Sequence, residues 1–268
     1  MGYFRNKTVW ITGASSGIGE ALAYQLAAQG ANLIVSARNI DKLQAVAERC
    51  GTATTCVLPL DLEQVYSLAQ KTQEALNIFN GIDVVVHCGG FSQRSMAHQT
   101  DIGVYARLIN VHFLGVAAIS NALLPHFFEK KSGQFVAISS LVGKFGSPLR
   151  TGYSAAKHAL QGYFDSLRAE TAQHGVRVTV VCPGYIKTDV SVNALSADGT
   201  QHKKMDKNQA EGMSAELCAK KILLAVAAQK KEVYIGGKEI LGVYIKRFFP
   251  FFMDKILQNQ VLNKKNSN

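Results

Sequence analysis

Three residues in the second half of the chain have side chains that suit acid–base chemistry on a carbonyl or an alcohol: Ser140, Tyr153 and Lys157. Tyr153 and Lys157 are four residues apart, so they share one face if the segment is helical. A phenol near its ordinary pKa of about 10 is a poor acid–base group at neutral pH. An adjacent ammonium favours the phenolate and lowers that pKa, and Ser140 can hydrogen-bond an oxygen that gains charge. The alternative is a half-buried helix with an incidental tyrosine and lysine.

A glycine-rich turn near the N-terminus has the composition of a phosphate-binding loop. It reads TGASSGIG from Thr12 to Gly19, between a short apolar run and an amphipathic segment over residues 20–29. A strand, a glycine turn and a helix in this order aim a helix N-terminus at a phosphate, and glycine lets the backbone approach it closely. The spacing GxxxGxG differs from the GxGxxG fingerprint, so the turn alone is equally typical of an ordinary tight turn.

Taken together, these motifs resemble the short-chain dehydrogenase/reductase family, in its hydroxysteroid-dehydrogenase-like, member 7-like branch. TGxxxGxG is followed by a serine thirteen residues before YxxxK, and the similarity runs from Lys7 to about Gly237. The resemblance implies an α/β fold, with a Rossmann-type doubly wound seven-stranded parallel sheet in a single domain. It also implies a nicotinamide cofactor, with Ser140, Tyr153 and Lys157 as catalytic residues and Lys157 in contact with the nicotinamide ribose.

The resemblance also assigns a set of residues to the cofactor. They are Gly13, Ser15, Ser16, Gly17, Ile18, Gly19, Arg38, Asp61, Leu62, Gly89, Tyr153, Lys157, Pro183, Gly184, Ile186 and Thr188. Asp61 is expected to bond the adenine, and the segment from Pro183 to Thr188 is expected to cover the nicotinamide side. Arg38 lies 19 residues after Gly19, where a carboxylate selects NAD and an arginine suits the 2′-phosphate of NADP. We therefore expect NADP(H), against the alternative of a solvated surface arginine.

Two positions depart from the family pattern. The fourth strand, which ends NNAG in the family, ends HCGG here, beginning at His87. The family's catalytic asparagine lies thirteen residues before a proline on the central helix, and counting back from Pro125 reaches His112. In the family this residue holds a water in a proton relay behind the lysine. Histidine can donate and accept, so His112 is expected either to keep the relay, with a new sensitivity to pH, or to be an ordinary core histidine.

Apolar and amphipathic runs alternate along the chain, which is the pattern of βαβ units and of a parallel sheet covered on both faces. The expected strands are 8–11, 32–38, 54–60, 82–87, 133–140, 176–182 and 232–235, and the expected helices are 20–29, 41–50, 64–79, 101–124 and 152–174. The polar stretch 191–212 is expected to be a mobile lid, within about 189–213, over a ligand site at the carboxyl ends of the strands. The dehydrogenase domain is expected to span residues 1–237, followed by an extension over 238–268.

Composition favours one globular domain in a reducing compartment. The chain has 268 residues, of which 47% are hydrophobic and 18% charged. Its five cysteines form no CxxC pair and leave one over, which favours reduced thiols in the cytoplasm and argues against a metal site or disulfides. No signal peptide is expected, nor a run of the roughly 18 apolar residues that span a bilayer. The net charge of +10 accompanies no nucleic-acid-binding motif.

The segment 240–265 carries an apolar stripe beside basic residues. On a helix the stripe is Leu241, Tyr244, Ile245, Phe248, Phe252 and Ile256, flanked by Lys246, Arg247 and Lys255. Pro250 is expected to kink or divide the helix. Such a segment suits peripheral attachment to a membrane surface, or equally burial against a second subunit of a homodimer or homotetramer.

The function that these residues favour is an NADP(H)-dependent oxidoreductase that interconverts a ketone or aldehyde and an alcohol. The hydride chemistry belongs to the cofactor, and the protein supplies the proton. The branch resemblance implies a lipophilic substrate such as a steroid, a retinoid or a long-chain carbonyl. The alternative is a non-catalytic NADP(H)-binding sensor or scaffold, which the altered asparagine positions would allow and the intact Ser140, Tyr153 and Lys157 oppose.

Overall fold

Seven parallel strands form the centre of the protein. The structure, a computed structural model, describes residues 2–51 and 54–265. The strands of the main sheet are β1 (Thr8–Thr12), β2 (Asn32–Ser36), β3 (Thr55–Val57), β4 (Val84–His87), β5 (Gly133–Ile138), β6 (Val176–Pro183) and β9 (Glu232–Ile235), in the spatial order β3-β2-β1-β4-β5-β6-β9. Two short strands, β7 (Ile186–Lys187) and β8 (Met213–Ser214), form a separate parallel pair. The order reverses between β1 and β4, as in a doubly wound sheet, so the predicted fold class is confirmed.

Helices cover both faces of the sheet. They are α1 (Gly17–Ala27), α2 (Ile40–Cys50), α3 (Leu68–Ile78), α4 (Ile102–Ile109), α5 (Gly115–Lys130), α6 (Thr151–Glu170), α7 (Lys207–Ala210), α8 (Ala215–Ala227), α9 (Leu241–Phe248) and α10 (Pro250–Lys265). Side chains of β1 alternate between the two faces: Trp10 packs in the core beneath α4, α5 and α6, while Val9 and Ile11 pack beneath α1, α2 and α8. Burial on both faces explains why the strands read as nearly continuous apolar runs.

Several predicted boundaries are wrong for local physical reasons. The second strand ends at Ser36, so Arg38 lies in the turn before α2. The cap of α2 is Asn39, whose Oδ1 accepts from the Lys42 N–H at 2.9 Å, so the helix begins at Ile40, one residue before its predicted start. The helix predicted to end near Leu124 continues to Lys130 with Pro125 inside it. Helix α8 was not predicted.

The central helix is also an exception to the expected absence of long apolar segments. Residues Ile102–Lys130 include α4, a π-helical turn at Asn110–Leu114, and α5, and by length and composition this helix could cross a bilayer. Its inner face is buried in the core through residues such as Leu108, Ile119 and Phe127. A core helix of a doubly wound domain meets the same criterion, so the finding is weak evidence for a membrane span.

The extension after β9 folds back onto the domain. Its first helix, α9, ends at Phe248, and Pro250 begins α10, so the predicted division of the tail at this proline is confirmed. Val243 of α9 and Met253 of α10 are buried, and a Cβ on Gly242 would lie 3.2 Å from the Phe145 ring. The tail therefore packs on the loop after β5. Residues 266–268 of the predicted extension lie outside the described residues, and its boundary at 237 stays a prediction.

Candidate active site

A cavity of about 940 Å³ opens at the carboxyl edge of the sheet, between the loops that follow β1, β2, β4, β5 and β6. It is lined by every predicted site residue except Gly19, and all but that glycine are therefore brought together: Gly13, Ser15, Ser16, Gly17, Ile18, Arg38, Asp61, Leu62, Gly89, His112, Ser140, Tyr153, Lys157, Pro183, Gly184, Ile186 and Thr188. Gly19 lies behind the turn, where a Cβ would be 2.2 Å from the Gly13 carbonyl oxygen. Doubly wound sheets bind ligands at this edge.

The glycine turn after β1 fits a phosphate. Gly13 has a φ of 73°, and a Cβ there would lie 2.4 Å from the Cα of Gly89 in the loop after β4. Only glycines allow these two loops to touch. Helix α1 begins directly after Ser16, whose side chain makes no capping hydrogen bond. The N–H groups of the first turn are thus left for an anion, so the residues present suit the pyrophosphate of a dinucleotide.

The loop after β2 contributes the guanidinium of Arg38 to the lining of the cavity. Arg38 is well exposed, and its Nη1 lies 3.6 Å from an Oε1 of Glu63. Glu63 is held more closely by Arg107, which donates to its two carboxylate oxygens at 3.0 and 3.1 Å. An exposed pair at such a distance contributes little, so Arg38 is available to a phosphate. Asp61 nearby accepts from the Glu63 N–H at 3.0 Å and thereby shapes the groove wall.

The N-terminal end of α6 carries the predicted acid–base residues. Gln93, from the loop after β4, accepts hydrogen bonds through Oε1 from the N–H of Gly152 at 2.7 Å and of Tyr153 at 3.4 Å. This buried amide fixes the start of α6 against the cavity. One turn later the Lys157 ammonium donates to the Ile138 carbonyl oxygen at 2.7 Å, at the end of β5. Its Nζ lies 5.6 Å from the centroid of the Tyr153 ring.

Burial shifts the pKa values of both groups. Burial lowers the pKa of Lys157 to about 8, because the charged ammonium loses its hydration. Burial also raises the pKa of Tyr153, against the opposing influence of Arg150, of a hydrogen bond with Ser140 and of Arg94. The pKa of Tyr153 is therefore shifted in the direction opposite to the expected one, although Arg150 and Arg94 favour the phenolate.

His112 lies in the π-helical turn of the central helix, behind the tyrosine. Its Nε2–H donates to the Phe91 carbonyl oxygen at 2.7 Å, and its ring meets the Tyr153 ring edge to face with centroids 5.3 Å apart. Its Nδ1 is buried without a partner among the described residues. Burial, together with Lys157, holds the pKa of His112 well below its usual range, which favours the neutral ring. A Cβ on Gly90 would lie 2.0 Å from the ring, which explains the second glycine of HCGG.

The lid and the tail form the remaining walls of the cavity. The lid is docked to the loop after β4 by backbone hydrogen bonds, from the Arg94 N–H to the Leu195 carbonyl and from the Leu195 N–H to the Ser92 carbonyl, both 2.8 Å. The apolar part of the wall comes from the loop after β5 and from the two tail helices: Leu141, Val142, Phe145, Leu241, Ile245, Met253, Ile256 and Leu257. The tail thus shapes the cavity, which its apolar stripe did not reveal.

Sequence reasoning missed Gln93, Arg94 and Arg150. Arg150 stands three residues before Tyr153, and this i−3 spacing on α6 is the one signal that could have indicated it. Gln93 and Arg94 lie in an irregular loop, and no pattern in the sequence marks them. Both act through partners more than fifty residues away along the chain.

Comparisons with known proteins agree with this geometry. The sequence profile described as short chain dehydrogenase matches residues 7–199. Dehydrogenase/reductase SDR family member 7 of Homo sapiens is 38% identical over 250 residues, which cover 90% of this chain and 74% of that protein.

Two solved structures share the fold. A short chain dehydrogenase/reductase from Burkholderia phymatum in complex with NAD superposes with a TM-score of 0.81 at 19% identity, over 92% of this chain and 95% of that one. A short-chain dehydrogenase from Sphingobium yanoikuyae in complex with NADPH gives a TM-score of 0.74 at 25% identity, over 85% and 87% of the two chains.

Replacing Lys157 with methionine is expected to change how stability depends on pH. The folded pKa of Lys157 is about 8 and its ordinary value is 10.5, so its burial costs stability most at low pH, and the cost is relieved as pH rises from 8 to 10.5. The free energy of unfolding of Lys157→Met minus that of the wild type should therefore fall over this interval, by up to about 3 kcal/mol. Urea unfolding at several pH values, followed by the fluorescence of buried Trp10, measures it.

The matched control is Lys220→Met, at an exposed lysine of α8. A difference between Lys157→Met and the wild type that stays constant from pH 7 to 10.5 would show that the Lys157 ammonium is not desolvated.

Proposed function

Since the chain belongs to the short-chain dehydrogenase/reductase family of nicotinamide-dependent oxidoreductases, we propose that it is an NADP(H)-dependent enzyme that interconverts a lipophilic ketone or aldehyde and the corresponding alcohol. The observation that carries the proposal is the shared cavity, in which Ser140, Tyr153 and Lys157 face the groove of the glycine turn. A sensor or scaffold would need the groove and not the acid–base residues. The combination favours catalysis.

The residues divide the work as follows. The cofactor supplies or accepts the hydride when it is bound. The Tyr153 hydroxyl gives its proton to the carbonyl oxygen during reduction and takes it back during oxidation. Ser140 donates a hydrogen bond to the same oxygen as it gains charge. The Lys157 ammonium, 5.6 Å from the centroid of the Tyr153 ring, favours the phenolate and would hold the nicotinamide ribose of a bound cofactor.

His112 is proposed to serve the proton path behind the lysine. Its neutral ring has an acceptor nitrogen, Nδ1, that faces the buried interior without a protein partner among the described residues. The asparagine that the family pattern places here would offer an amide in the same place. Because the pKa of His112 lies well below its usual range, the relay is expected to be insensitive to pH near neutrality.

Cofactor choice is proposed to rest on Arg38. The groove beside it also contains Asn39 and Lys42, whereas the carboxylate of Glu63 is committed to Arg107. A positive rim suits a 2′-phosphate better than a 2′-hydroxyl. The two solved structures contain NAD and NADPH respectively, so they support a nicotinamide cofactor, and the proposed preference for NADP(H) rests on Arg38.

Tyr153→Phe should reduce turnover by about a hundredfold or more, because general acid catalysis contributes roughly 10² to 10⁴ in rate. The substitution removes the transferable proton and little volume, so the affinity for NADPH should stay within about twofold of the wild type. Turnover is measured in a screen of steroids, retinoids and long-chain carbonyls, run with NADPH and NADH side by side. Activity in Tyr153→Phe above about a tenth of wild type would contradict the assignment.

Arg38→Asp should invert the cofactor preference, because it removes the phosphate partner and supplies an acceptor for the ribose hydroxyl. Titration of NADPH and NADH against the intrinsic fluorescence of the full chain measures both affinities. Arg177→Gln is the matched control, since that arginine of β6 is exposed and lies outside the cavity lining. Equal affinity of the wild type for the two cofactors would rule out the NADP(H) preference.

The tail is proposed to attach the protein to a membrane surface. Its large side chains stand out from the domain: Tyr244, Phe248, Phe249, Phe251 and Phe252 are each at least 50% exposed. Lys246, Arg247 and Lys255 lie among them. The same two helices line the cavity with Ile245 and Met253, so attachment through this face would open the apolar wall towards lipid-dissolved substrate. Apolar rings beside basic groups suit an anionic interface.

Flotation with anionic liposomes tests the attachment. The full chain should float at low salt and less at high salt, because screening weakens the basic contacts. Replacing Phe248, Phe249, Phe251 and Phe252 with serine should abolish flotation, while Tyr66→Ser, at an exposed tyrosine far along the chain, should not. If the serine variant instead dissociates an oligomer and the wild type does not float, the face is a subunit interface.

A further inference from the structure

Two arginines and one aspartate meet at the cavity, beside the acid–base residues. Arg94 donates from Nε and Nη2 to Oδ2 of Asp206 at 2.9 and 2.6 Å, and Arg150 donates from Nη2 to the same oxygen at 3.1 Å. Arg94 also donates from Nη1 to the Ser92 hydroxyl and to the Gln93 carbonyl oxygen. Asp206 belongs to the lid, just before α7, whereas the arginines belong to the domain.

The charges in this group do not balance. The two guanidinium groups share a single carboxylate oxygen, although the side chains of Arg94 and Arg150 are only 5% and 18% exposed. Burying two like charges with one counter-ion is costly, and the pKa of Arg94 is lowered by burial and by Arg150. Arg150 makes one other hydrogen bond, from Nη1 to the Ser147 hydroxyl. Its Nε–H has no acceptor in the part of the chain that the structure describes.

The arginines line the same cavity as the proposed acid–base residues. Both line the cavity with Tyr153, and Arg150 immediately precedes α6, three residues before the tyrosine. Arg94 follows Gln93, whose amide is bonded to the first turn of the same helix. Both guanidinium groups also act on the pKa of the Tyr153 phenol. An anion held by them would therefore share the cavity with a carbonyl at Tyr153.

We propose that Arg94 and Arg150 bind an anionic group of the substrate, a carboxylate or a phosphate monoester, close to the carbonyl that is reduced. The inference rests on the proposed function and narrows its substrate class. A guanidinium fork matches both kinds of oxyanion. The apolar wall formed by α9 and α10 contacts the rest of the substrate. The substrate is therefore amphiphilic, with its charged end at Tyr153. Asp206 holds the two arginines when no such substrate is present.

A purely structural role makes the opposite prediction for Asp206. If the ion pairs of Asp206 with Arg94 and Arg150 only hold the lid against the domain, Asp206→Asn loosens this contact and lowers the affinity for every ligand alike. If Asp206 competes with the substrate for the arginines, Asp206→Asn removes the competitor and strengthens the binding of anions specifically. The affinity for neutral ligands then stays the same as in the wild type.

Three probes with one alkyl chain length separate these cases: a long-chain methyl ketone, the corresponding α-keto acid, and the phosphate monoester of the corresponding hydroxymethyl ketone. Dissociation constants are measured calorimetrically on the full chain with NADP⁺, so that no reduction occurs. At least one anionic probe should bind about ten- to a hundredfold more tightly than the methyl ketone. Which of the two does so identifies the carboxylate or the phosphate.

Arg150→Gln should remove most of this advantage, whereas Arg168→Gln, at the other end of α6 and paired with Asp165, should leave it intact. Arg94→Gln should act in the same direction, and its thermal unfolding reports whether the fold tolerates the change. Equal affinity for the three probes, or an Asp206→Asn variant that weakens all of them alike, overturns the proposal.

Turnover of the same probes with NADPH keeps the two hypotheses apart. Tight binding of an anionic probe without reduction of any ketone contradicts the oxidoreductase assignment and leaves the anion site standing. Reduction of the methyl ketone with no preference for its anionic counterparts overturns the anion site and leaves the oxidoreductase standing.

Discussion

A buried ammonium without a carboxylate partner is the constraint on which the rest of this site depends. Lys157 is held by one carbonyl oxygen, that of Ile138, and no acidic side chain among the described residues forms an ion pair with it. Desolvating a cation in this way is unfavourable, so the fold must fix α6 against β5 by other means. Ser139 does part of this through a bond from its hydroxyl to the Lys157 carbonyl oxygen at 3.3 Å. This unfavourable desolvation occurs next to Tyr153, where the Lys157 ammonium can act on the phenol.

The loop after β4 joins the two halves of the site. Its glycines touch the turn after β1 and leave room for the His112 ring, while Gln93 caps the start of α6. The proposed cofactor groove and the proposed acid–base residues therefore both contact one short segment of backbone. Tyr153 lies between opposing influences, since burial raises its pKa and Arg150, Ser140 and Arg94 lower it. A positive charge that enters the cavity is therefore expected to lower the pKa of Tyr153.

The periodicity of the sequence predicted the sheet, and motif spacing predicted the glycine turn, Ser140, Tyr153 and Lys157, because these signals are local. What could not be predicted arises from contacts between distant segments. Asp206 and Arg94 form an ion pair although they are 112 residues apart in the sequence, and no sequence pattern predicts such a pair. The apolar stripe of the tail predicted a helix divided at Pro250, but amphipathicity does not reveal what a helix packs against. Burial of Tyr153, which reverses the expected direction of its pKa shift, is likewise a property of the assembled fold.

The proposed role of Tyr153, which exchanges the proton, requires that cations near the phenol lower its pKa. The most direct measurement is a spectrophotometric titration of the phenolate, taken as the difference between the wild type and Tyr153→Phe, with and without saturating NADP⁺. Without the cofactor the pKa of Tyr153 should lie above the ordinary value for a phenol. With the oxidised, positively charged nicotinamide it should fall below that value. A Tyr153 signal that titrates at the same pH in both conditions would contradict the account.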